Sequence, residues 1–492
     1  MPNQLGQIDH VVMLMLENRS FDHMLGFLYT PENVSPAGDK YEGLAGNEFN
    51  FDSSGNKVPV FRIDNTHDLP YFMPGYDPRE GFLATNQQLY GSSPVDTDPA
   101  PMSGFVTSFE NAISFDQSNN RPEAIPGTKP TDIMGMYDPS MLPVMSALAR
   151  SYAVCDHWFA SVPTETFPNR AFALTGTSLG HLKDDFKILN TPSIFGRMSD
   201  AGLDWMAFGY NSLPYVRTDY PDTKAAPLSN FGHFSDFQQR AADGTLPAFS
   251  FLEPSWGATG NSQHPVYDVS LGEKLIYDTY IALRTGAKWN KTLFILTYDE
   301  HGGNYDHVSP PTNATAPDEY RGDVDHLNFD FSRFGVRVPA LLISPLIKAG
   351  TVFRPQGVVP LDHTSVLATL RERWPTIQPL TKRDAAAPSL GDALQLAEPR
   401  TDSPLDTVRP PVSGQMVPNA DLPSKLQVLQ ADKVANLSVP NGHGTYDHVP
   451  PPLDSANATA EYIRDRTAAW ELHQQRIRAK TLASGQSGRN PA

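Results

Sequence analysis

One cysteine, Cys155, stands in a chain of 492 residues. That excludes an intrachain disulfide framework and a cysteine-ligated zinc centre. No apolar run approaches the ~20 residues that a membrane-spanning helix needs. Positive charge is also scarce: 38 Lys and Arg face 55 Asp and Glu, for a net charge of −17. That balance argues against a nucleic-acid partner and against electrostatic docking on anionic membranes, while leaving a zwitterionic lipid open as substrate. The opening residues, Met-Pro-Asn-Gln-Leu-Gly-Gln, contain no basic or apolar segment, so no secretory signal is visible. The expectation is a cytoplasmic protein as the sequence stands, or an exported one if a leader is missing from it.

Apolar residues make up 39% and aromatics 10%, enough to build a packed interior and to exclude wholesale disorder. Proline (45) and glycine (35) are plentiful, which predicts long ordered loops on a compact scaffold. The stretch around which the chain is organised is residues 10–27. Residues 11–16 are uniformly apolar, as in a strand buried on both faces of a parallel sheet. The run stops at Glu17-Asn18, and Ser20 can cap a short helix. A carboxylate and an amide there lie where open α/β sheets bind ligands, although a plain turn would use the same residues.

Residues 28–100 show no sustained period and read as loops over the C-terminal edge of the sheet; His67 lies among them. A helix is expected over 141–151 and a strand over 152–159. Pro168 suits the first turn of a further helix, placing Thr166 just before its N-terminus. Free N–H groups and the positive dipole end favour a phosphate and an ionising hydroxyl there; a simple N-cap is the alternative. Strands are expected over 203–209 and 247–252, with a helix near 233–242 between them and another over 271–284. Residues 292–298 repeat the opening strand and end in Asp299-Glu300. A strand over 338–344 and a helix over 363–373 complete an alternation that predicts a mainly parallel α/β sheet.

Beyond residue 382 the character changes. Residues 395–425 are Pro-rich and polar, 456–480 form a long charged helix, and a frayed tail is expected from 484. Residues 442–451 echo 302–310 without a preceding carboxylate pair, so no site is assigned to them. The expected organisation is a catalytic domain over 1–385 and a C-terminal accessory segment over 386–492.

The strand ends collect Glu17, Asn18, Thr166, Asp299 and Glu300, all of which can present oxygen. Such a set suits one divalent ion, Ca²⁺, Mg²⁺ or Mn²⁺, and Zn²⁺ also accepts carboxylates. A hydroxyl among the ligands points to metal-assisted phosphoryl transfer through a phosphothreonine, with histidines neutralising phosphoryl oxygens or protonating a leaving alkoxide.

Several blocks then resemble a known family. They are Glu17-Asn18-Arg19-Ser20-Phe21-Asp22-His23, Thr166-Phe-Pro-Asn-Arg170, Gln263-His264-Pro265, Tyr298-Asp-Glu-His-Gly-Gly with Tyr305-Asp-His307, Gly335-Val-Arg-Val-Pro-Ala-Leu-Leu-Ile-Ser-Pro345 and Thr381-Lys-Arg-Asp384. Over residues 8–385 the chain is similar to the phosphoesterase family, which contains bacterial phosphatidylcholine phospholipases C, plant non-specific phospholipases C and a branch of acid phosphatases. The resemblance implies an alkaline-phosphatase-like α/β fold with one catalytic divalent metal. Glu17, Asn18, Asp299 and Glu300 match metal ligands, and Thr166 matches a nucleophile that also binds the metal. His264 matches a phosphate-site histidine, with His67 and His233 as matches for two more. His23, His307 and His363 are expected to serve packing. The implied activity is phospholipase C cleavage of glycerophospholipids, phosphatidylcholine first among them. A phosphomonoesterase of the same fold and a non-catalytic phospholipid-binding protein are the alternatives.

Overall fold

The computed structural model describes residues 3–30, 34–118, 125–185, 189–257, 259–317, 323–415, 422–439 and 452–486. Its centre is an eight-stranded sheet. In chain order the strands are β1 (His10–Leu16), β2 (Ala153–Val154), β3 (Trp205–Gly209), β4 (Phe231–His233), β5 (Phe249–Glu253), β6 (Thr292–Tyr298), β7 (Ala340–Ile343) and β8 (Thr351–Val352). They lie side by side as β8-β2-β7-β6-β1-β5-β3-β4. β1 pairs in parallel with β5 and β6, β5 with β3, β3 with β4, and β2 with β8. β7 is antiparallel to both β6 and β2 and so is the one reversed strand of this sheet. The expected mainly parallel α/β architecture is therefore what the chain forms.

The physical reason is visible in β1 and β6. Every residue of β6 and residues 11–16 of β1 are buried, because helices and loops cover both faces. The helices of the chain include α1 (Pro143–Ser151), α2 (Thr166–Thr175), α3 (Val269–Arg284), α4 (Thr364–Arg373) and α5 (Lys425–Ala435). The Glu273 carboxylate of α3 accepts the Val144 and Met145 amides at 2.7 and 3.0 Å, and so caps the N-terminus of the adjacent α1. Ser20 caps the short helix Phe21–Leu25, as expected, by accepting from the His23 amide.

Two expectations are corrected. The strand expected over 152–159 is broken into β2 and a separate two-residue strand, Trp158–Phe159, which pairs with Leu361–Asp362. Asp156 lies buried between the two pieces and accepts from the Arg354 guanidinium at 2.7 Å. Residues 28–100 are not loops throughout, since they hold strands Phe49–Phe51, Lys57–Pro59 and Phe61–Ile63 and helix Phe82–Tyr90. Three-residue strands are too short to reveal a period. Helix α5 starts at the last residue of the polar, Pro-rich stretch, and a capping box of Ser424 and Gln427 marks that start.

The final described helix, α6 (Ala456–Gln486), packs on α5 through a small core of Ala431, Val434, Leu437, Ile463 and Trp470. It continues through 484–486, where fraying was expected. Residues 442–451 lie outside the described residues. Leu390, Leu394 and Leu405 belong to the main core, so the chain after 385 runs along the body of the molecule before reaching α5. Among the described residues no helix is long and apolar enough to cross a membrane.

Candidate active site

Adjacent parallel strands bring their ends together. Leu16 of β1 is opposite Tyr298 of β6, so Glu17-Asn18 and Asp299-Glu300 emerge side by side. The Asn18 amide donates to Asp299 Oδ1 at 3.0 Å. Asn18 has φ 55°, a left-handed conformation that asparagine tolerates better than most residues. Its carbonyl accepts from Asn304 Nδ2 at 3.1 Å. Gly302, at φ 62°, lies so close that a Cβ there would meet Asn18 O at 2.2 Å. A glycine just beyond the acid end of β6 is thus explained by close backbone approach.

Thr166 is the first residue of α2, and Glu165 rather than Thr166 holds the N-cap position, without a side-chain capping bond. The Thr166 hydroxyl donates to Asn18 Oδ1 at 3.3 Å. One turn later on the same face, Arg170 Nε donates to Asp299 Oδ2 at 2.9 Å, and Arg170 Nη2 to the Met15 and Leu16 carbonyls. Arg170 therefore ties α2 to the end of β1. His363, the residue before α4, meets the Asp299 carbonyl through Nε2 at 2.6 Å and receives Trp158 Nε1–H at Nδ1. That is a packing role, as are those of His23 against Arg19 and His307 against Asp22.

The third wall is the segment after β5. Its Ser262 carbonyl accepts the Glu17 amide at 2.9 Å. Gln263 and Val266 flank His264 at φ 68° and 70°, strained for a residue with a Cβ and costly for a β-branched one. Arg19 Nε binds the Gln263 carbonyl at 2.6 Å and holds this loop. Burial would lower the His264 pKa, but the Glu17, Asp77 and Glu80 carboxylates raise it above its ordinary value. Burial pushes Glu17 up to about 7, against the opposing pull of His264. Burial likewise raises Asp299, opposed by Arg170, and raises Glu300 strongly, with Glu80 and Asp299 adding to it.

Glu17 Oε1 and Glu300 Oε1 are fully buried and have no hydrogen-bond partner among the described residues. Unpartnered carboxyl oxygens at the adjacent ends of β1 and β6, next in the chain to Asn18 and Asp299, fit a hard divalent cation, since a buried carboxylate needs a counter-charge. Among the described residues, the tightest triads of metal-capable groups lie elsewhere, at Asp22–Asp306–His307 and at His181–Asp185–Asp325. The first is already neutralised by Arg337, which reaches Asp22 and Asp306 at 2.9 and 3.0 Å. Glu17, Asp299 and Glu300 are spread more widely than those triads.

The structure thus brings together Glu17, Asn18, Thr166, Asp299, Glu300 and His264. It sets His67 and His233 apart. His67 stacks on Phe61 at 5.5 Å, its Nδ1 within 3.3 Å of Asp64, and lines a different cavity with Thr128 and Asp132. His233 is exposed at the start of helix Phe234–Asp243, where its amide donates to Asp236. Two aromatic rings lie near the site: Trp256, 4.6 Å from the Arg170 guanidinium, and Tyr267, 5.1 Å from His264. Sequence reasoning also missed Arg170 as a tether and a set of ionisable groups beside Thr166: Asp77, Glu80, Asp184 and Lys425. Those four come from loops and from α5, with no periodic pattern to announce them.

Known proteins resemble the chain over most of its length. It is 34% identical to non-specific phospholipase C3 of Arabidopsis thaliana over 419 residues, covering 81% of this chain and 75% of that protein. It is 32% identical to non-specific phospholipase C6 of Arabidopsis thaliana, covering 94% and 87%. With phospholipase C A of Mycobacterium tuberculosis (strain ATCC 25618 / H37Rv) it shares 27% identity, covering 86% and 84%. Among solved structures, a protein in the alkaline phosphatase superfamily from Vibrio parahaemolyticus overlaps 50% of this chain and 64% of its own, at 14% identity and a TM-score of 0.31. That overlap is partial, and the α/β fold rests on the strand order itself. The profile of the Phosphoesterase family matches residues 8–376. Both the extent of that match and the identity to the plant proteins lead to one conclusion: this chain belongs to the phosphoesterase family.

Proposed function

We propose that this chain is a phospholipase C that hydrolyses the glycerol–phosphate ester of glycerophospholipids, with phosphatidylcholine as the leading substrate, and that Thr166 is its nucleophile. The observation that carries the reading is the Thr166 hydroxyl, at the N-terminus of a ten-residue helix and 3.3 Å from Asn18 Oδ1 at the C-terminal end of β1. The relatives named as phospholipases C support the substrate class.

In this reading Thr166 Oγ1 attacks phosphorus, the bond to the diacylglycerol oxygen breaks, and that oxygen leaves as the alcohol after taking up a proton. Phosphocholine is left on Thr166, and water then releases it and restores the hydroxyl. The positive end of α2 offers its first N–H groups to the phosphoryl oxygens. Arg170 and Asn304 keep the strand ends and the helix start in register. His264 faces the same space as Glu17 and is the proposed phosphate-side histidine. No contact joins His67 or His233 to Thr166, so the proposed chemistry does not use them. Glu17, Asn18, Thr166, Asp299 and Glu300 would hold one divalent ion, which when bound lowers the pKa of a hydroxyl and withdraws charge from a phosphoryl oxygen. Residues 1–385 form the catalytic domain, and 386–492 serve it as an accessory segment.

The test compares phosphatidylcholine vesicles with p-nitrophenyl phosphate, each with and without a chelator. Chelator-sensitive diacylglycerol release with little monoester cleavage is expected. Preferred monoester cleavage would move the chain to phosphomonoesterase chemistry. Thr166→Ala should lower kcat by on the order of 10³ or more with an unchanged circular dichroism spectrum; substantial residual turnover would sink the nucleophile assignment.

A further inference from the structure

A cation from the C-terminal segment sits beside the proposed nucleophile. Lys425 Nζ, at the first position of α5, lies 3.0 Å from Glu80 Oε1, 3.5 Å from Asp184 Oδ2 and 3.6 Å from Glu165 Oε2. Asp77 faces the same ammonium. Two of these groups adjoin Thr166: Glu165 precedes it, and Asp184 Oδ1 accepts the amide of Phe167, the next residue in the chain, at 2.8 Å. Four carboxyl groups thus face one ammonium: burial raises Glu165 to about 8 and raises Asp77 and Asp184, while Lys425 pulls Glu80 down to about 2 against its burial.

The cage also holds an unmet acceptor. Asp184 is buried, and among the described residues its Oδ2 has no hydrogen-bond partner, facing Lys425 only at ion-pair distance. A cavity of about 400 Å³ opens here, lined by Asp77, Glu80, Phe82, Leu83, Glu165 and Lys425. Among the described residues Lys425 hydrogen-bonds to only one of the four carboxyl groups that face it, a spacing that a bulkier cation without N–H donors tolerates.

We propose that Asp77, Glu80, Glu165 and Asp184 form the receptor for the ammonium of a phospholipid head group, and that Lys425 is a tethered cation which that head group displaces. The inference rests on the phospholipase reading for its ligand class. The geometry comes from covalent chemistry: in a choline or ethanolamine phosphodiester the ammonium is two carbons from the phosphate oxygen. A phosphate at Thr166 therefore places the ammonium within reach of the carboxylates that flank it.

The experiment uses the full chain, choline chloride as probe and sodium chloride of equal ionic strength as control. Choline should bind wild type, and Lys425→Met should bind it about tenfold more tightly, the ratio for an occupant seated nine-tenths of the time. The ratio of phosphatidylcholine to phosphatidylglycerol hydrolysis should rise by a similar factor. In wild type, saturating choline should speed reductive methylation of Lys425 several-fold, a readout that requires neither turnover nor a variant. Absence of choline binding, or Lys425 labelling unchanged at saturation, overturns the inference. Because both are read without catalysis, a chain that binds choline but releases no diacylglycerol fails as a phospholipase and keeps its cation receptor.

Discussion

At the scale of single residues, the site is a collection of buried acids whose charges need an external answer. Glu17 and Glu300 each carry an oxygen with no hydrogen-bond partner among the described residues, in surroundings that push their pKa values upward. Glu17→Gln and Glu300→Gln should each cut the metal retained after gel filtration by at least about tenfold, measured by elemental analysis. Full retention by both variants would remove them from the ligand set. These two glutamates were legible in the sequence because an apolar strand that stops at a carboxylate is a local pattern. Lys425 was not, because nothing near it in sequence records the four acids that face it. The strain at Gln263 and Val266 was equally silent, since a φ above zero at a residue with a Cβ leaves no compositional mark.

At the scale of elements, the turns after β1 and β6 and the caps between helices carry the geometry. Gly302→Ala should cost at least about 1 kcal/mol from the left-handed backbone alone, with more from the contact against Asn18 O. Urea unfolding would show it, and activity should fall with it because Asn18 is what the new methyl displaces. A stability equal to wild type would contradict the close approach. Glu273 offers a pH test. Burial pushes its carboxyl up to about 8, against the pull of the Val144 and Met145 amides, from an ordinary value of 4.5. Between those values the folded state holds a proton that the unfolded state has lost, so the contribution of Glu273 is greatest below about 4.5 and declines as pH rises to about 8. Wild type should therefore lose stability relative to Glu273→Gln across that window, measured by urea titration at successive pH values. A wild-type advantage that grows with pH would reverse the assigned sign.

For the whole molecule, the question is how the C-terminal segment is attached. Lys433 pairs with Asp219 at 3.1 Å, and Glu471 of α6 pairs at 2.6 Å with Arg217, whose side chain is wholly buried. Leu426 shares an apolar cluster with Phe167, Tyr215 and Trp256. Removing residues after 415 strips a buried arginine of its carboxylate and uncovers aromatic surface, and leaving a buried charge without its partner is costly. The thermal midpoint should drop by a few degrees or more and dye binding to apolar surface should rise, both read on the truncated chain. An unchanged midpoint would show that the segment is draped over the body without supporting it.

By itself the sequence determined the alternation of strand and helix, the mainly parallel sheet, the two acid-ended strands and the family blocks. Each of these is written in neighbouring residues, where side-chain periodicity and capping act over a few positions. Only the tertiary structure decided that β1 and β6 are adjacent, that Thr166 faces Asn18, that His67 and His233 stand apart from it, and that Lys425 comes back to the residues flanking Thr166 from more than 250 positions away. Those placements depend on which distant surfaces bury one another and which charges find partners, and residues far apart in the chain carry no local trace of that choice.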